Sequence, residues 1–225
     1  RSAIVPAPPP AAANPFAAAP QRRSAAELIT VTERNRAIAD PYTRLLVARD
    51  QVNQGAAVLL MSVAAAEDLG IDRSKWVYLP GHAELREPSL FHRPHLGEAP
   101  SAVAAVEQAL AGAGITLDDI DYFDLYSCFP IAVSNITAEL GIMPDDPRGL
   151  TLTGGLSYFG GAGNNYSMHA IAEAAMRVRS DPGSLALVSA NGGLLSKTAV
   201  GIYGSAATEF RTYDCGAVQQ LLETA

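Results

Sequence analysis

The chain has 225 residues, a net charge of −7, and a composition that is 48% hydrophobic and 17% charged. That suits one globular, soluble domain with additional material. It excludes membrane helices, since no apolar run reaches the ~18–20 residues one needs, and no basic stripe offers a nucleic-acid surface. The two cysteines, Cys128 and Cys215, make neither a disulfide framework nor a four-ligand zinc site, so a reducing, cytoplasmic setting is expected.

The chain starts with Arg1, and no charged-then-apolar leader follows. The missing Met points to a piece of a longer chain. Residues 1–24 read as linker or loop, Pro- and Ala-rich from Val5 to Pro20. From Ala25 to Ala48 the pattern predicts one or two short surface helices, broken by a turn at Asp40-Pro41. Gly55–Met61 (GAAVLLM) is a continuous apolar run and predicts a strand buried on both faces. Val63–Leu69 predicts a helix closed by Gly70.

A regular alternation follows. Strands are predicted at Trp76–Leu79, Ile120–Tyr126, Leu150–Thr153, Leu185–Ser189 and Lys197–Tyr203. Helices are predicted at Pro100–Leu110, Pro130–Leu140 and Asn165–Arg179. Two of these helices carry Pro near their start and Gly behind their end. A glycine-rich loop, Gly154–Gly163, precedes the third, and Asn191-Gly192-Gly193 makes a tight turn between the last two strands. The order βαβαβαββ implies an α/β fold with a mixed sheet, its last two strands antiparallel. Helix 165–179 carries small and apolar residues on most sides, which predicts burial between layers. One sheet cannot sandwich it alone, so a second half or a partner subunit is implied.

This order of motifs resembles the thiolases, and more closely the sterol-carrier-protein-x-type and thiolase-like acetyl-CoA acetyltransferases of actinobacteria. QGAAVLLMS (Gln54–Ser62) resembles the DGAAAxxLMS segment that closes the first thiolase half. AGITLDDIDYFDLYSCF (Ala113–Phe129) resembles the approach to the NEAF motif. LTLTGGLSYFGGAGNNYSMHA (Leu150–Ala170) resembles the segment holding GHP, and LALVSANGGLLSKTAVGIYG (Leu185–Gly204) the CxGGG segment. The resemblance covers Ala25 to Gly204. It implies a layered αβαβα fold of which residues 25–62 end the N-terminal half, 63–204 form the C-terminal βαβαβαββ half, and 205–225 are a tail of unknown structure. It also implies acyl-CoA as substrate or ligand, no bound cofactor or metal, and a homodimer, a homotetramer or a partner subunit. The family's nucleophilic cysteine lies in the first half, which is not in this sequence beyond its last strand.

The family's acid/base residues are replaced. Tyr126-Ser127-Cys128-Phe129 stand at NEAF, Gly161 at the histidine of GHP, and Ser189 at the cysteine of CxG. Claisen chemistry needs a base at the acyl α-carbon and fixed oxyanion donors. Serine cannot stand in for a thiolate without a base beside it, and glycine offers only an N–H.

Candidate residues follow from these positions. Tyr126 ends a strand at the edge where such sheets place ligands, as a phenolic acid, base or oxyanion donor, or as a tyrosine closing the core. Cys128 precedes a helix N-terminus, which can lower a thiol pKa; a small buried residue is the plainer alternative. His169, in the first turn of its helix, is expected to be neutral and is a further catalytic candidate beside Ser189, a structural hydrogen-bonding histidine being the plainer alternative. Gly160, Gly161, Asn164 and Asn165 could form a nest of N–H groups for an oxyanion or phosphate, or serve only the turn. Tyr158 and Tyr166 border this loop. His92-x-x-His95, with His82 upstream, lacks a third ligand of fitting spacing. Three functions stay open: a CoA-thioester acyltransferase, a retro-aldolase subunit using tyrosines, and a non-catalytic CoA- or acyl-binding protein.

Overall fold

In a computed structural model, which describes residues 9–208 and 214–224, the chain opens with two short helices, α1 (Pro9–Ala13) and α2 (Ala25–Ile29). The first part of the expected linker, residues 1–8, lies outside the described residues. The rest of it is packed: Ala11 is buried against Gly154. Ser24 caps α2 reciprocally with Glu27, the pattern that fixes a helix start. A small hairpin that the sequence did not suggest follows, β1 (Ala37–Ala39) with β2 (Tyr42–Thr43), turning at Asp40-Pro41.

The predicted strand at Gly55–Met61 is absent. The segment has no regular secondary structure and pairs with no described strand, and Leu59 and Leu60 are 81% and 87% exposed. A run apolar on both faces becomes a strand only where a sheet takes its main-chain groups. Here the polar contacts come from a side chain instead: Asn165 exchanges two hydrogen bonds with the main chain of Ala56. α3 (Val63–Asp68) follows as expected, with Gly70 left-handed behind it.

The main sheet begins with β3 (Tyr78–Arg86). It starts two residues later than predicted and runs seven further. Pro80 is tolerated because β3 is an edge strand. Gly81 is required by close approach: a Cβ there would lie 2.1 Å from the Ala109 carbonyl of α4 (Pro100–Ala113). β4 (Tyr122–Asp124), α5 (Pro130–Glu139), α6 (Tyr166–Ser180), β5 (Leu185–Gly192) and β6 (Lys197–Gly204) follow, and α7 (Gly216–Thr224) ends the described chain. The tail residues 209–213 and 225 lie outside the described residues.

The sheet order is β3–β6–β5–β4. β4 and β5 are parallel, and β6 is antiparallel to both neighbours, so the sheet is mixed as predicted. The expected third strand, Leu150–Thr153, is not one. Its first residue makes a ladder-like bond, Leu125 N–H to Leu150 C=O at 2.9 Å. Then Thr153 N–H turns to the Asp124 carboxylate instead of a main chain.

Two cores flank the sheet. α4 lays Ala102, Ala105, Val106, Ala109 and Leu110 against Ala83, Leu85, Val200 and Ile202, the i, i+3, i+4, i+7 stripe of an amphipathic helix. On the other face α6 packs Tyr166, Ala170, Ala174 and Val178 on Ala186 and Val188. The enclosure expected for α6 is therefore one-sided: Met176, Arg177 and Arg179 are exposed. The described residues hold one sheet for this helix, and its far side has no second.

Candidate active site at the carboxyl end of the parallel strand pair

β4 ends at Asp124, level with Val188 of β5, which runs on to Gly192, and the residues just past their shared ladder meet. Ser189 is fully buried, and its Oγ accepts the Tyr126 N–H at 3.0 Å. The hydroxyl thus extends the strand pairing by one rung, and no base is recorded against it among the described residues. Cys128 points its Sγ at Asn191 Oδ1, 3.8 Å away. Burial pushes the thiol pKa up despite its place just before α5, so the expected helix-terminus activation is outweighed by desolvation. Tyr126 is half-buried and meets the Tyr166 ring edge-on at 5.4 Å. Burial, with Cys128 beside it, raises its pKa too. At neutral pH these groups are proton donors; neither is a base.

Behind them lies a polar knot that the sequence reading missed. Asp124 is fully buried on β4. One carboxylate oxygen accepts from Thr153 N–H and Oγ1–H, both at 2.9 Å, and the other faces Tyr166 Oη at 3.1 Å. Tyr166 Oη also lies 2.7 Å from Thr153 Oγ1. Desolvation pushes the Asp124 pKa up to about 6, against the lowering effect of these donors. Tyr166 is pushed far above its usual value by burial and by Asp124. Ser127 Oγ accepts the Leu156 N–H at 3.1 Å. One signal was available: an acid in mid-strand, flanked on the same face by Tyr122 and Tyr126, needs buried partners.

The glycine loop is strapped, not open. Ala48 N–H binds Cys128 C=O, Arg49 N–H binds Leu156 C=O, and Gly161 N–H binds Arg49 C=O at 2.7 Å. The N–H of Gly161 is therefore already spent and offers no oxyanion donor. Gly160 holds φ 130° against Gln54, whose amide donates to Phe16 and Phe159 carbonyls. Asn165 is occupied by Ala56, and Asn164 is exposed. The nest expected from Gly160, Gly161, Asn164 and Asn165 is in effect a seat for residues 48–56.

Tyr158 and His169 fall away from Tyr126. Tyr158 is buried with Ala11, Leu28 and Leu46, its hydroxyl unpartnered and its pKa raised to about 12 by burial. His169 is buried edge-on against Phe159 with Nε2 unpartnered, so the hydrogen bonds expected of it are not all made. Burial lowers its pKa and Glu173 opposes this, consistent with the neutral ring expected. Among the described residues no three His, Cys, Asp or Glu side chains converge as metal ligands. No described helix is long and apolar enough to cross a membrane.

A narrow pocket beside Ser189 is lined by Ala190, Asn191, Asn135 and Leu195. The roomier groove, along the outer side of α6, is lined by Tyr122, Glu173, Met176 and Arg177; Arg177 lies 4.6 Å over the Tyr122 ring, whose Oη donates to Asp181 at 2.5 Å.

A monomeric SCP2-thiolase like protein type 1 from Mycobacterium smegmatis is 55% identical in its solved structure, with a TM-score of 0.91 over 95% of this chain and 47% of its own. The chain is thiolase-like. A curated relative, a probable acetyl-CoA acetyltransferase of Mycolicibacterium smegmatis, is 29% identical over 132 residues, 56% of this chain and 31% of that protein. No family model matches. This thiolase-like chain thus spans about half the solved relative or less of the curated one. The monomeric description of the solved relative gives no support to the homodimer or homotetramer expected by resemblance.

Proposed function

We propose that this chain is the thioester-binding half of a thiolase-like protein acting on acyl-CoA, with Tyr126 as hydrogen-bond donor to the acyl carbonyl and no acid/base residue of its own. One observation carries the reading: Ser189, at the position of the family's second cysteine, is buried and engaged by the Tyr126 N–H. A hydroxyl so placed, without a neighbouring base, cannot relay the proton of a Claisen step. Acyl transfer then depends on a nucleophile from outside this chain. A reducing compartment suits its free thiols, Cys128 and Cys215.

The test is calorimetric titration of the full chain with acetyl-CoA and a longer acyl-CoA. Binding is expected, weakened up to ~10-fold by Tyr126→Phe, the loss of one hydrogen bond. Unchanged binding in that variant would remove Tyr126 from the site. The retro-aldolase reading rests on the same phenol, protonated and half-buried beside Tyr166. It is favoured instead if carbon–carbon cleavage is found and Tyr126→Phe abolishes it.

A further inference from the structure

Tyr126 is held from two sides. Its main chain is held from β5, where Ser189 Oγ accepts the Tyr126 N–H. Its ring is held from α6, where Tyr166 meets it edge-on with the two planes at 89°. Phe159 stands edge-on to Tyr166 in turn, centroids 6.2 Å apart. Tyr166 is 0% exposed, so it touches nothing that enters the site. Packing alone does not account for its hydroxyl, since a phenylalanine would fill the same space with no polar atom to satisfy. That hydroxyl is tied to Thr153 Oγ1 and to Asp124, and the same groups gather the neighbouring loop. Thr153 Oγ1 accepts the Gly155 N–H at 3.1 Å, and Ser127 Oγ accepts the Leu156 N–H. A Cβ on Gly155 would lie 2.8 Å from Ser127 Oγ, so loop and strand end fit without slack. One buried carboxylate thus collects the end of β4, the glycine loop and the first turn of α6 behind the Tyr126 ring. A wall whose polar tip is fixed in the interior holds the rotamer of the residue packed on it.

We propose that Tyr166 is a positioning residue: anchored by Asp124 and Thr153, its ring fixes the rotamer in which Tyr126 presents its hydroxyl to the acyl carbonyl. The inference rests on the donor role given to Tyr126 above, and it assigns Tyr166 no contact with the ligand. A donor already held in its working rotamer loses no side-chain freedom on binding. Released, it gives up ~2- to 10-fold in affinity.

The test uses the full chain with Tyr166→Phe, which keeps the ring and cuts both ties; if that variant does not fold, Thr153→Ala replaces it, cutting one. Retention of fold is checked by circular dichroism. The first readout needs no ligand: the three-bond N–Cγ and C′–Cγ couplings of Tyr126, measured by NMR, report its χ1 rotamer. The parent is expected to give the couplings of one rotamer, and the variant averaged ones. Val178→Ala, a buried change further along α6, controls for lost stability and should leave the couplings at the parent's values. The second readout is calorimetric titration with acetyl-CoA in a double-mutant cycle. Tyr166→Phe is expected to weaken binding ~2- to 10-fold in the parent, and to add nothing in a Tyr126→Phe background. Parent-like couplings in the folded variant overturn the proposal, and so do averaged couplings in Val178→Ala. An equal loss of affinity with and without the Tyr126 hydroxyl also overturns it, being the mark of a purely structural role. Unchanged binding in Tyr126→Phe alone would instead end the donor role, and the couplings would still decide whether Tyr166 sets the rotamer.

Discussion

Asp124→Asn should make the chain's stability less dependent on pH, and the size of the change follows from the buried knot. The Asp124 carboxyl has a pKa of about 6 in the fold against an ordinary 3.8, a gap worth about 3 kcal/mol. The sign follows from proton counting. Well below pH 3.8 both folded and unfolded chains hold the proton, and the group costs nothing. As pH rises, the unfolded chain ionises first, so stability falls until the folded carboxyl ionises near 6. Above that the penalty is constant. Asparagine does not titrate, and the geometry accommodates it: its oxygen can keep both Thr153 bonds, and its NH₂ can donate to Tyr166 Oη, which then donates to Thr153 Oγ1. Urea unfolding of both chains at pH 4 and pH 7 gives the double difference, in which other titrating groups cancel. The variant should gain about 2 kcal/mol on its parent between the two pH values, because at pH 4 the unfolded carboxyl is already partly ionised. Parallel pH profiles would show that Asp124 does not titrate as a desolvated acid.

Gly160→Ala forces a side chain into φ 130° with its Cβ 2.2 Å from Gln54 Oε1, and should cost about 2–4 kcal/mol in thermal or urea unfolding. Asn165→Ala removes both bonds to Ala56, and should cost about 1–3 kcal/mol and speed amide exchange at Ala56. Cys128, with its thiol pKa raised by burial, should alkylate with iodoacetamide more slowly than free cysteine at pH 8, with its rate inflection displaced to higher pH.

Some of this fold is legible in the residues. β5 and β6 are bounded by turn residues, and α4 and α5 by Pro ahead and Gly behind. β3 was half hidden because Pro80 and Gly81 read as breakers, although Ala83 and Leu85 alternate with polar residues as an edge strand does. The apolar run at 55–61 misled in the other direction: its composition fits a buried strand, but composition cannot say which sheet would bury it. In the site, resemblance drew attention to Ser189 and Tyr126. It could not show that their contact is through the Tyr126 main chain, nor that Gly161 is strapped by Arg49. Those bonds join residues far apart in sequence, and no local periodicity records them.

The central claim is that this crevice supplies donors and no base. The direct measurement is proton exchange at the acyl α-carbon of an acyl-CoA in D₂O, followed by NMR with the full chain present. The account predicts binding with no exchange above the uncatalysed rate. Exchange catalysed by the chain, and lost in Ser189→Ala or Cys128→Ser, would contradict it.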